Sequence, residues 1–306
     1  MSELFRQVAL AIQHQFNDFD ASSANVDDTL VDTLYSPIFI VGPPRTGTTL
    51  LYQYLLKNLN LAYLSNIMAL VPRHMVKLSR AFPGIARHYT APLHRGYHGF
   101  VPGLFAPSEA GKIVDRWFRE DIWHGNQRKI RQTVAAISQA TGLPLLIKSL
   151  TNSTRIERLH QTFPAARFIA TTRDERYAAQ SIMMARQELR LSEDTWWSVQ
   201  PSGSETLAGK SEAFRAVWQV IATDQGIAAA IASTGADFFQ VRYEQFCDNP
   251  AGLLRQLIDT FGLTASSAAA SADRLFTPAT EIRVDMETWH AIEDAVRQLR
   301  TAVRDS

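Results

Sequence analysis

The feature that most constrains the fold is the stretch PIFIVGPPRTGTTLLYQYL at positions 37–55. A short apolar run, 38–41, is followed by a loop with two glycines and by a segment with helical apolar spacing. A strand, a tight loop and a helix in this order form an anion cradle, because unpaired N–H groups at the helix start point toward the centre of the loop. The ATP- and GTP-binding form of the loop reads G-x-x-x-x-G-K-[ST], and Thr48 stands where that lysine belongs. The sequence therefore predicts an anion-binding loop that takes its positive charge from another residue.

The apolar pattern of the whole chain predicts an α/β fold. Five runs are typical of buried strands, and segments with helical periodicity lie between them. Strands that alternate with helices favour a mainly parallel sheet covered on both faces, which binds its ligands at the carboxyl ends of the strands. We therefore predict a P-loop-like three-layer domain with a central sheet of about five strands flanked by helices. The predicted strands are 38–41, 61–64, 144–147, 167–172 and 237–242, and the predicted helices are 46–59, 66–80, 126–140, 153–162, 175–190, 209–234 and 250–261.

The chain of 306 residues is interpreted as one domain, 1–306. Residues 1–36 are predicted to form an amphipathic helix, 3–17, and the lead-in to the first strand. Residues 82–124 are rich in proline, glycine, histidine and aromatic residues, with little periodicity before about position 108. Long irregular segments in compact domains often cover binding sites, so 82–124 is predicted to be a substrate-covering insertion. The alternative is an irregular segment that only packs on the sheet.

Charge and cysteine content exclude several classes of protein. The chain carries 31 basic and 30 acidic residues, and a net charge of +1 gives no bulk electrostatic reason to bind nucleic acid or a membrane surface. No window approaches the length of a membrane span. The single cysteine, Cys247, excludes an intrachain disulfide and a cysteine-rich metal site, and it fits a reducing compartment. We expect a soluble cytoplasmic protein, and the sequence leaves assembly into a homo-oligomer open.

Two further segments place cationic residues at the same edge of the predicted sheet. LPLLIKSL ends the third strand at Lys148, and RFIATTRDERYAAQS ends the fourth strand at Arg173. Ser181 follows Arg173 by eight residues, just over two helical turns, so it lies on nearly the same face as the helix start. Taken singly, a lysine at a strand end or an Arg-Asp pair at a helix start is common on protein surfaces. Because carboxyl ends of parallel strands meet at one edge, Arg45, Lys148 and Arg173 are predicted to lie together.

The loop and the fourth-strand segment resemble sulfotransferases that use 3′-phosphoadenosine 5′-phosphosulfate (PAPS), in particular bacterial ones with an arginine in the loop. The 5′-phosphosulfate loop of that family runs P-x-[KR]-[ST]-G-T-[ST], and residues 43–49 match it. The 3′-phosphate motif of the family has an arginine at a strand end and a serine eight residues later, as Arg173 and Ser181 do.

Two more motifs extend the resemblance over residues 37–262. The family has a lysine about two dozen residues before the motif arginine, and Lys148 matches it. The segment VRYEQFCDNP, with Tyr243 and Glu244, resembles a tyrosine-glutamate pair that precedes a DNP-like turn in the family.

The resemblance implies transfer of a sulfuryl group from PAPS to the hydroxyl group of a small alcohol, phenol or sugar-type acceptor. The product nucleotide would be adenosine 3′,5′-bisphosphate. The migrating group carries less negative charge than a phosphoryl group, so a magnesium clamp is less necessary, and the resemblance implies that no metal is required. The resemblance implies that Arg45 and Lys148 stabilise the transferring group. The residues implied to bind the cofactor are Arg45, Thr46, Gly47, Thr48, Thr49, Arg173, Ser181 and Tyr243.

The positions that hold a general base in the family carry other residues here. Leu150 replaces the histidine of a K-x-H motif, and Asn66 stands near the glutamate of another branch. Glu109 is the leading candidate, because it lies at the start of a predicted helix in the irregular segment. Its ordinary alternative is a first-turn glutamate favoured by the helix dipole, with Ser108 as the cap. Three histidines have a suitable ordinary pKa and are further candidates: His94, His98 and His124.

Other family contacts have weaker counterparts. Leu50 stands where many members have an adenine-binding tryptophan, and Arg283 is a candidate to replace their glycine-rich C-terminal loop. Asn152 and Ser153 are predicted to cap the next helix.

Two other functions compete with sulfuryl transfer. A P-loop kinase or NTPase would need a lysine at position 48 and an acidic residue at the end of a neighbouring strand to hold magnesium. A non-catalytic nucleotide-binding relative would keep the fold without turnover.

Overall fold

The computed structural model describes residues 25–93, 99–192, 195–267 and 275–304. At its centre lies a five-stranded sheet with the strand order β2-β3-β1-β4-β5, in which every neighbouring pair is parallel. The predicted α/β fold with five strands is confirmed, and each predicted strand end lies within one residue of the observed one. The strands are β1 Ile38–Val41, β2 Ala62–Tyr63, β3 Leu145–Lys148, β4 Arg167–Thr172 and β5 Asp237–Arg242.

Helices connect the strands, as parallel pairing requires. The described α-helices are α1 Leu30–Thr33, α2 Thr48–Asn58, α3 Asn66–Leu70, α4 Met75–Ala81, α5 Gly111–Trp117, α6 Glu120–Thr141, α7 Ile156–Thr162, α8 Glu175–Glu188, α9 Glu212–Thr234, α10 Tyr243–Asp248, α11 Pro250–Phe261 and α12 Met286–Arg304. Short 3₁₀ helices lie at Pro72–His74, Pro83–Ala86, Leu150–Thr154 and Ser204–Leu207.

The clearest differences from the predicted helices lie at three places. The helix predicted over 66–80 is interrupted, because Pro72 has no N–H group to continue the backbone ladder and begins a 3₁₀ turn. Helix α6 begins at Glu120, six residues before the predicted start. Helix α12 is not among the predicted helices, although Trp289, Ile292 and Val296 follow the spacing of one helical face. The helix predicted over 3–17 lies outside the described residues.

Two apolar cores cover the two faces of the sheet. Alternate residues of β1 point into them: Phe39 and Val41 into one, Ile38 and Ile40 into the other. All four side chains are fully buried, as expected of a central parallel strand. The sheet therefore forms a fixed platform whose carboxyl edge can hold charged groups.

A third core lies outside the sheet, where α8, α9 and α12 pack together. It contains Ile182 of α8, Val217 of α9 and Trp289 of α12. Helices α8 and α9 run antiparallel, since Arg186 near the end of α8 pairs with Glu212 at the start of α9 at 2.8 Å. Because α8 follows β4 directly, this helical core adjoins the carboxyl edge of the sheet. No helix in the described part of the chain is long and apolar enough to span a membrane.

Candidate active site

Residues 42–47 form a loop from β1 to α2 at the carboxyl edge of the sheet. The N–H of Gly42 donates to Ser153 Oγ at 2.9 Å, and that hydroxyl donates to the carbonyl of Gly42 at 3.1 Å. The prediction that Asn152 and Ser153 cap the next helix is wrong, because the residue before α7 is Arg155 and its N-terminus has no side-chain cap. Ser153 instead fixes the start of the loop to the chain that follows β3.

Thr46 stabilises the loop from inside. Its side chain is buried, and its hydroxyl contacts the carbonyl of Pro43 at 2.8 Å and Thr171 Oγ1 at 2.7 Å. The Thr46 hydroxyl thus ties the loop to β4. The implied part of Thr46 in cofactor binding stays a prediction.

Unpaired backbone amides line the start of α2. Helix α2 begins at Thr48, and its first backbone bond runs from Leu51 N–H to the carbonyl of Gly47 at 3.0 Å. The N–H groups of residues 47–50 donate to no other residue that the structure describes. Gly47 has a φ of 80°, a left-handed conformation that suits glycine. These amides and the positive end of the helix dipole are the donors that an anion requires.

Arg45, Arg173 and Ser181 meet beside this loop. Arg45 Nε donates to Ser181 Oγ at 2.8 Å, and Arg173 Nη1 donates to the carbonyl of Arg45 at 2.7 Å. Arg173 Nη2 donates to the carbonyl of Ala279. Arg173 Nε is buried and has no partner among the described residues. The sequence separates these residues by up to 136 positions, yet the structure brings them together as the pattern of strand ends predicts.

The arginines repel one another in a partly buried setting. Burial lowers the pKa of Arg45, and the charges of Arg173 and Arg283 lower it further. Burial also lowers the pKa of Arg173. In the described part of the chain, the hydrogen bonds that Arg45 and Arg173 donate go to a hydroxyl and to carbonyl oxygens rather than to carboxylates. An anion at this place would relieve the repulsion.

Tyr243 and Glu244, at the start of α10 directly after β5, support the site. The Tyr243 ring packs on Gly47, where a Cβ would lie 2.4 Å from the ring, and the Arg173 guanidinium lies 4.6 Å from the ring centroid. Glu244 accepts a hydrogen bond from the backbone N–H of Asp174 at 3.1 Å. The pair thus positions the loop and the start of α8.

The segment before α12 also reaches the site. Gln180 of α8 donates to the carbonyl of Glu281 at 3.0 Å and accepts from the N–H of Arg283 at 2.7 Å. These bonds place Arg283 near Arg45 and Arg173, whose pKa values its charge lowers. Arg283 thus lies close to the arginines of the site, and its part in ligand binding stays a prediction.

Lys148 ends β3 and is 1% exposed. Its Nζ donates to Thr49 Oγ1 at 3.1 Å and forms an ion pair with Glu109. Burial lowers the pKa of Lys148 to about 7, with the charge of Arg45 as the second cause. The structure thus places Lys148 and Glu109, separated by 39 positions in the sequence, together beside the start of α2.

Glu109 precedes helix α5 and does not belong to its first turn, contrary to the expectation that it starts a helix. Ser108 holds this position: its N–H donates to the carbonyl of Leu64 at 2.8 Å, and its hydroxyl accepts from Ala110 N–H at 3.0 Å. The carboxylate therefore owes its place to tertiary contacts rather than to a helix dipole.

The other base candidates fare differently. His94 and His98 lie outside the described residues. His124 lies on α6 with its ring 4.8 Å from Trp123, whose indole N–H donates to Thr162 at the end of α7. Because α7 leads into the amino end of β4, His124 lies away from the carboxyl edge. Asn66 is held in hydrogen bonds to backbone carbonyls.

The comparison with known families decides the identity. Residues 37–267 match the model of the sulfotransferase family. This chain belongs to the sulfotransferase family.

Solved sulfotransferase structures share the fold. Sulfotransferase STF1 from Mycobacterium tuberculosis H37Rv is similar with a TM-score of 0.51 and 20% identity, over 87% of this chain and 75% of that chain. Sulfotransferase STF9 from Mycobacterium avium is similar with a TM-score of 0.51 and 17% identity, over 95% of this chain and 72% of that chain. At this identity the likeness concerns the fold alone. No curated protein matches the sequence. Family and fold together support sulfotransferase activity.

We predict that Ser153→Ala destabilises this sulfotransferase. The variant leaves the buried N–H and carbonyl of Gly42 without their partner, which costs about 1–3 kcal/mol of unfolding free energy. Urea denaturation measures the loss, and Ser233→Ala on the exposed surface of α9 is the control. Equal denaturation midpoints for the two variants would show that the hydrogen bonds between Ser153 and Gly42 do not stabilise the protein.

Proposed function

We propose that this sulfotransferase transfers a sulfuryl group from PAPS to the hydroxyl group of a small-molecule acceptor. The observation that carries the proposal is the meeting of Arg45, Arg173 and Arg283 with the unpaired amides of residues 47–50. A site of this kind suits a ligand with two separate anionic groups, because the cations and amides extend from the loop to the start of α8.

The residues present fit PAPS. Arg45 and the amides of residues 47–50 would hold the 5′-phosphosulfate, while Arg173, Ser181 and Arg283 would hold the 3′-phosphate. The buried, unpartnered Nε of Arg173 supports this assignment, since an acceptor oxygen from the ligand would complete it. Bound PAPS would supply the sulfuryl group and leave as adenosine 3′,5′-bisphosphate.

Lys148 would stabilise the charge that develops during transfer. Its ammonium is buried and already contacts Thr49 Oγ1, so it needs little reorganisation to face a group held by the loop. Glu109 would accept the proton of the acceptor hydroxyl. Its ion pair with Lys148 places a basic oxygen beside the same group.

The two competing functions have less structural support. A kinase or NTPase needs an acidic residue at the end of a strand beside β1 to hold magnesium. The strands beside β1 are β3 and β4, and the residues at their carboxyl ends are Lys148 and Arg173. A non-catalytic relative would bind the bisphosphate without turnover, and the turnover measurements below distinguish this function from sulfuryl transfer.

The donor assignment predicts that adenosine 3′,5′-bisphosphate binds far more tightly than AMP or ADP without added metal. Arg173→Ala should weaken bisphosphate binding by about 1.5–3 kcal/mol, the value of a charge-assisted hydrogen bond. Calorimetric titration measures both effects, and Arg297→Ala, whose side chain is 72% exposed on α12, is the control. Equal affinities of the wild type for nucleotides with and without the 3′-phosphate would refute the assignment.

Lys148→Ala should lower kcat strongly and leave bisphosphate affinity nearly unchanged, because Lys148 is assigned to the transferring group rather than to the nucleotide. Single-turnover transfer of labelled sulfate and calorimetric titration measure the two quantities. A variant that loses nucleotide affinity while kcat is intact would make Lys148 a phosphate ligand only.

The pH dependence follows from the lowered pKa of Lys148. Only the protonated amine is cationic, so kcat/KM for the donor should fall as the pH rises through about 7, and tenfold per pH unit well above it. Lys148→Arg keeps its charge throughout this range and should lack this decline, even if its activity is lower. An identical decline in Lys148→Arg would assign the titration to another group.

Glu109→Gln should reduce turnover about 10²–10⁴-fold, because it keeps size and hydrogen bonding but removes the base. Bisphosphate affinity should stay the same, since Glu109 is not assigned to the nucleotide. Glutamine substitutions at His94 and His98 are the matched tests. Full activity of Glu109→Gln together with loss of activity at either histidine would transfer the role of base to that histidine.

A further inference from the structure

We propose that residues 99–108, here called the apolar loop, bind the body of the acceptor, and that this body is an alkyl or aromatic group next to the reacting hydroxyl. The inference rests on the proposed function and names the acceptor class of the same site. It gives the irregular segment 82–124 a specific part that touches substrate.

The backbone of the apolar loop is firmly anchored. The side-chain amide of Asn66 donates to the carbonyls of Val101 at 2.8 Å and Gly103 at 2.7 Å, and the Tyr63 hydroxyl donates to the carbonyl of Phe105 at 3.0 Å. Backbone N–H groups of residues 66 and 67 donate to the carbonyls of residues 106 and 104 at 3.0 and 2.8 Å. The anchors lie in β2 and directly after it, at the carboxyl edge of the sheet.

Three large side chains of the apolar loop remain in solvent although its backbone is fixed, whereas Val101 and Ala106 are buried. Phe100 is 56% exposed, Leu104 48% and Phe105 55%. The sequence GFVPGLFAPS of the loop contains no charged or titratable side chain. Exposed apolar groups gathered in one short anchored loop are typical of a binding surface, because they gain free energy when a ligand covers them.

Both ends of the apolar loop meet at the Glu109 carboxylate. A Cβ on Gly99 would lie 2.1 Å from Glu109 Oε1, and the φ of Gly99 is +95°, so only glycine suits this contact. Glu109 follows the other end of the loop and pairs with Lys148. An acceptor hydroxyl at Glu109 therefore places the neighbouring atoms of the acceptor beside Phe100.

The apolar loop next to Glu109 favours one chemical class of acceptor. The cations of the site face the donor, whereas the surface that continues from Glu109 offers apolar side chains and no charge. A strongly charged acceptor would lose hydration there without gaining a partner. A phenol or alcohol with an apolar body fits both parts, because its hydroxyl meets Glu109 and its body covers the loop.

The test uses phenols with para-alkyl chains from methyl to hexyl. With PAPS as donor, kcat/KM should rise about two- to fourfold per methylene over the first members, as half to full burial of each methylene predicts. Calorimetric titration of the same phenols against the bisphosphate-bound protein should show the same increments in affinity. This second measurement does not depend on turnover.

Leu104→Ser and Phe105→Ser should each flatten the chain-length dependence and leave bisphosphate affinity unchanged. Phe238→Ser is the matched control, since Phe238 is 50% exposed on β5 at the opposite edge of the sheet from β2. Similar exposure makes the three substitutions comparable in their effect on stability, which melting temperatures check.

Three results would contradict the proposed role of the apolar loop. The first is an affinity for the phenols that does not depend on chain length, and the second is an equal chain-length dependence in Phe105→Ser and wild type. The third is self-association of the protein that Phe105→Ser abolishes and Phe238→Ser retains. The last would assign the surface to a second copy of the chain. Failure of the proposed function looks different: adenosine 3′,5′-bisphosphate would bind no better than AMP, whatever the alkyl series shows.

Discussion

Mutual repulsion between partly buried cations is the constraint on which the architecture of the site depends. Burial lowers the pKa values of Arg45 and Arg173, the charge of Arg283 lowers both further, and Lys148 is buried close to Arg45. Such an arrangement destabilises the free protein and persists only on a rigid scaffold. The buried central sheet supplies that scaffold, because the ends of its strands fix where the charged side chains begin.

The contacts around the loop show how that rigidity is transmitted. Ser153 clamps the first residue of the loop, Thr46 ties its middle to β4, and Tyr243 packs against Gly47. Each contact comes from a different strand or from the chain that follows it. The loop is therefore held from three sides, which leaves the amides at the start of α2 pointing into the site without local partners.

The sheet and the positions of Arg45, Lys148 and Arg173 were predictable because strand patterns are local and strand ends share an edge. The roles of Ser153 and Thr46 were not, since their partners lie 111 and 125 positions away and no local pattern encodes such contacts. Glu109 is an intermediate case: its segment made it a candidate base in the sequence, but its position depends on the bond from Ser108 to Leu64 after β2. Helix α12 was detectable, because its apolar spacing is visible in the sequence.

Helix α9 contributes side chains to two of the apolar cores. Its Val217 packs in the third core with α8 and α12, whereas its Ile227 and Ile231 pack in a core of the sheet. One unbroken helix thus connects a core of the sheet with the core in which α8, the helix that carries Ser181, packs. A ligand that contacts Arg45 and Ser181 together would join the loop after β1 to α8, which α9 already links to the sheet. Any movement of α9 relative to the sheet would therefore change the separation between Arg45, which follows β1, and Ser181 on α8, although α9 provides neither residue.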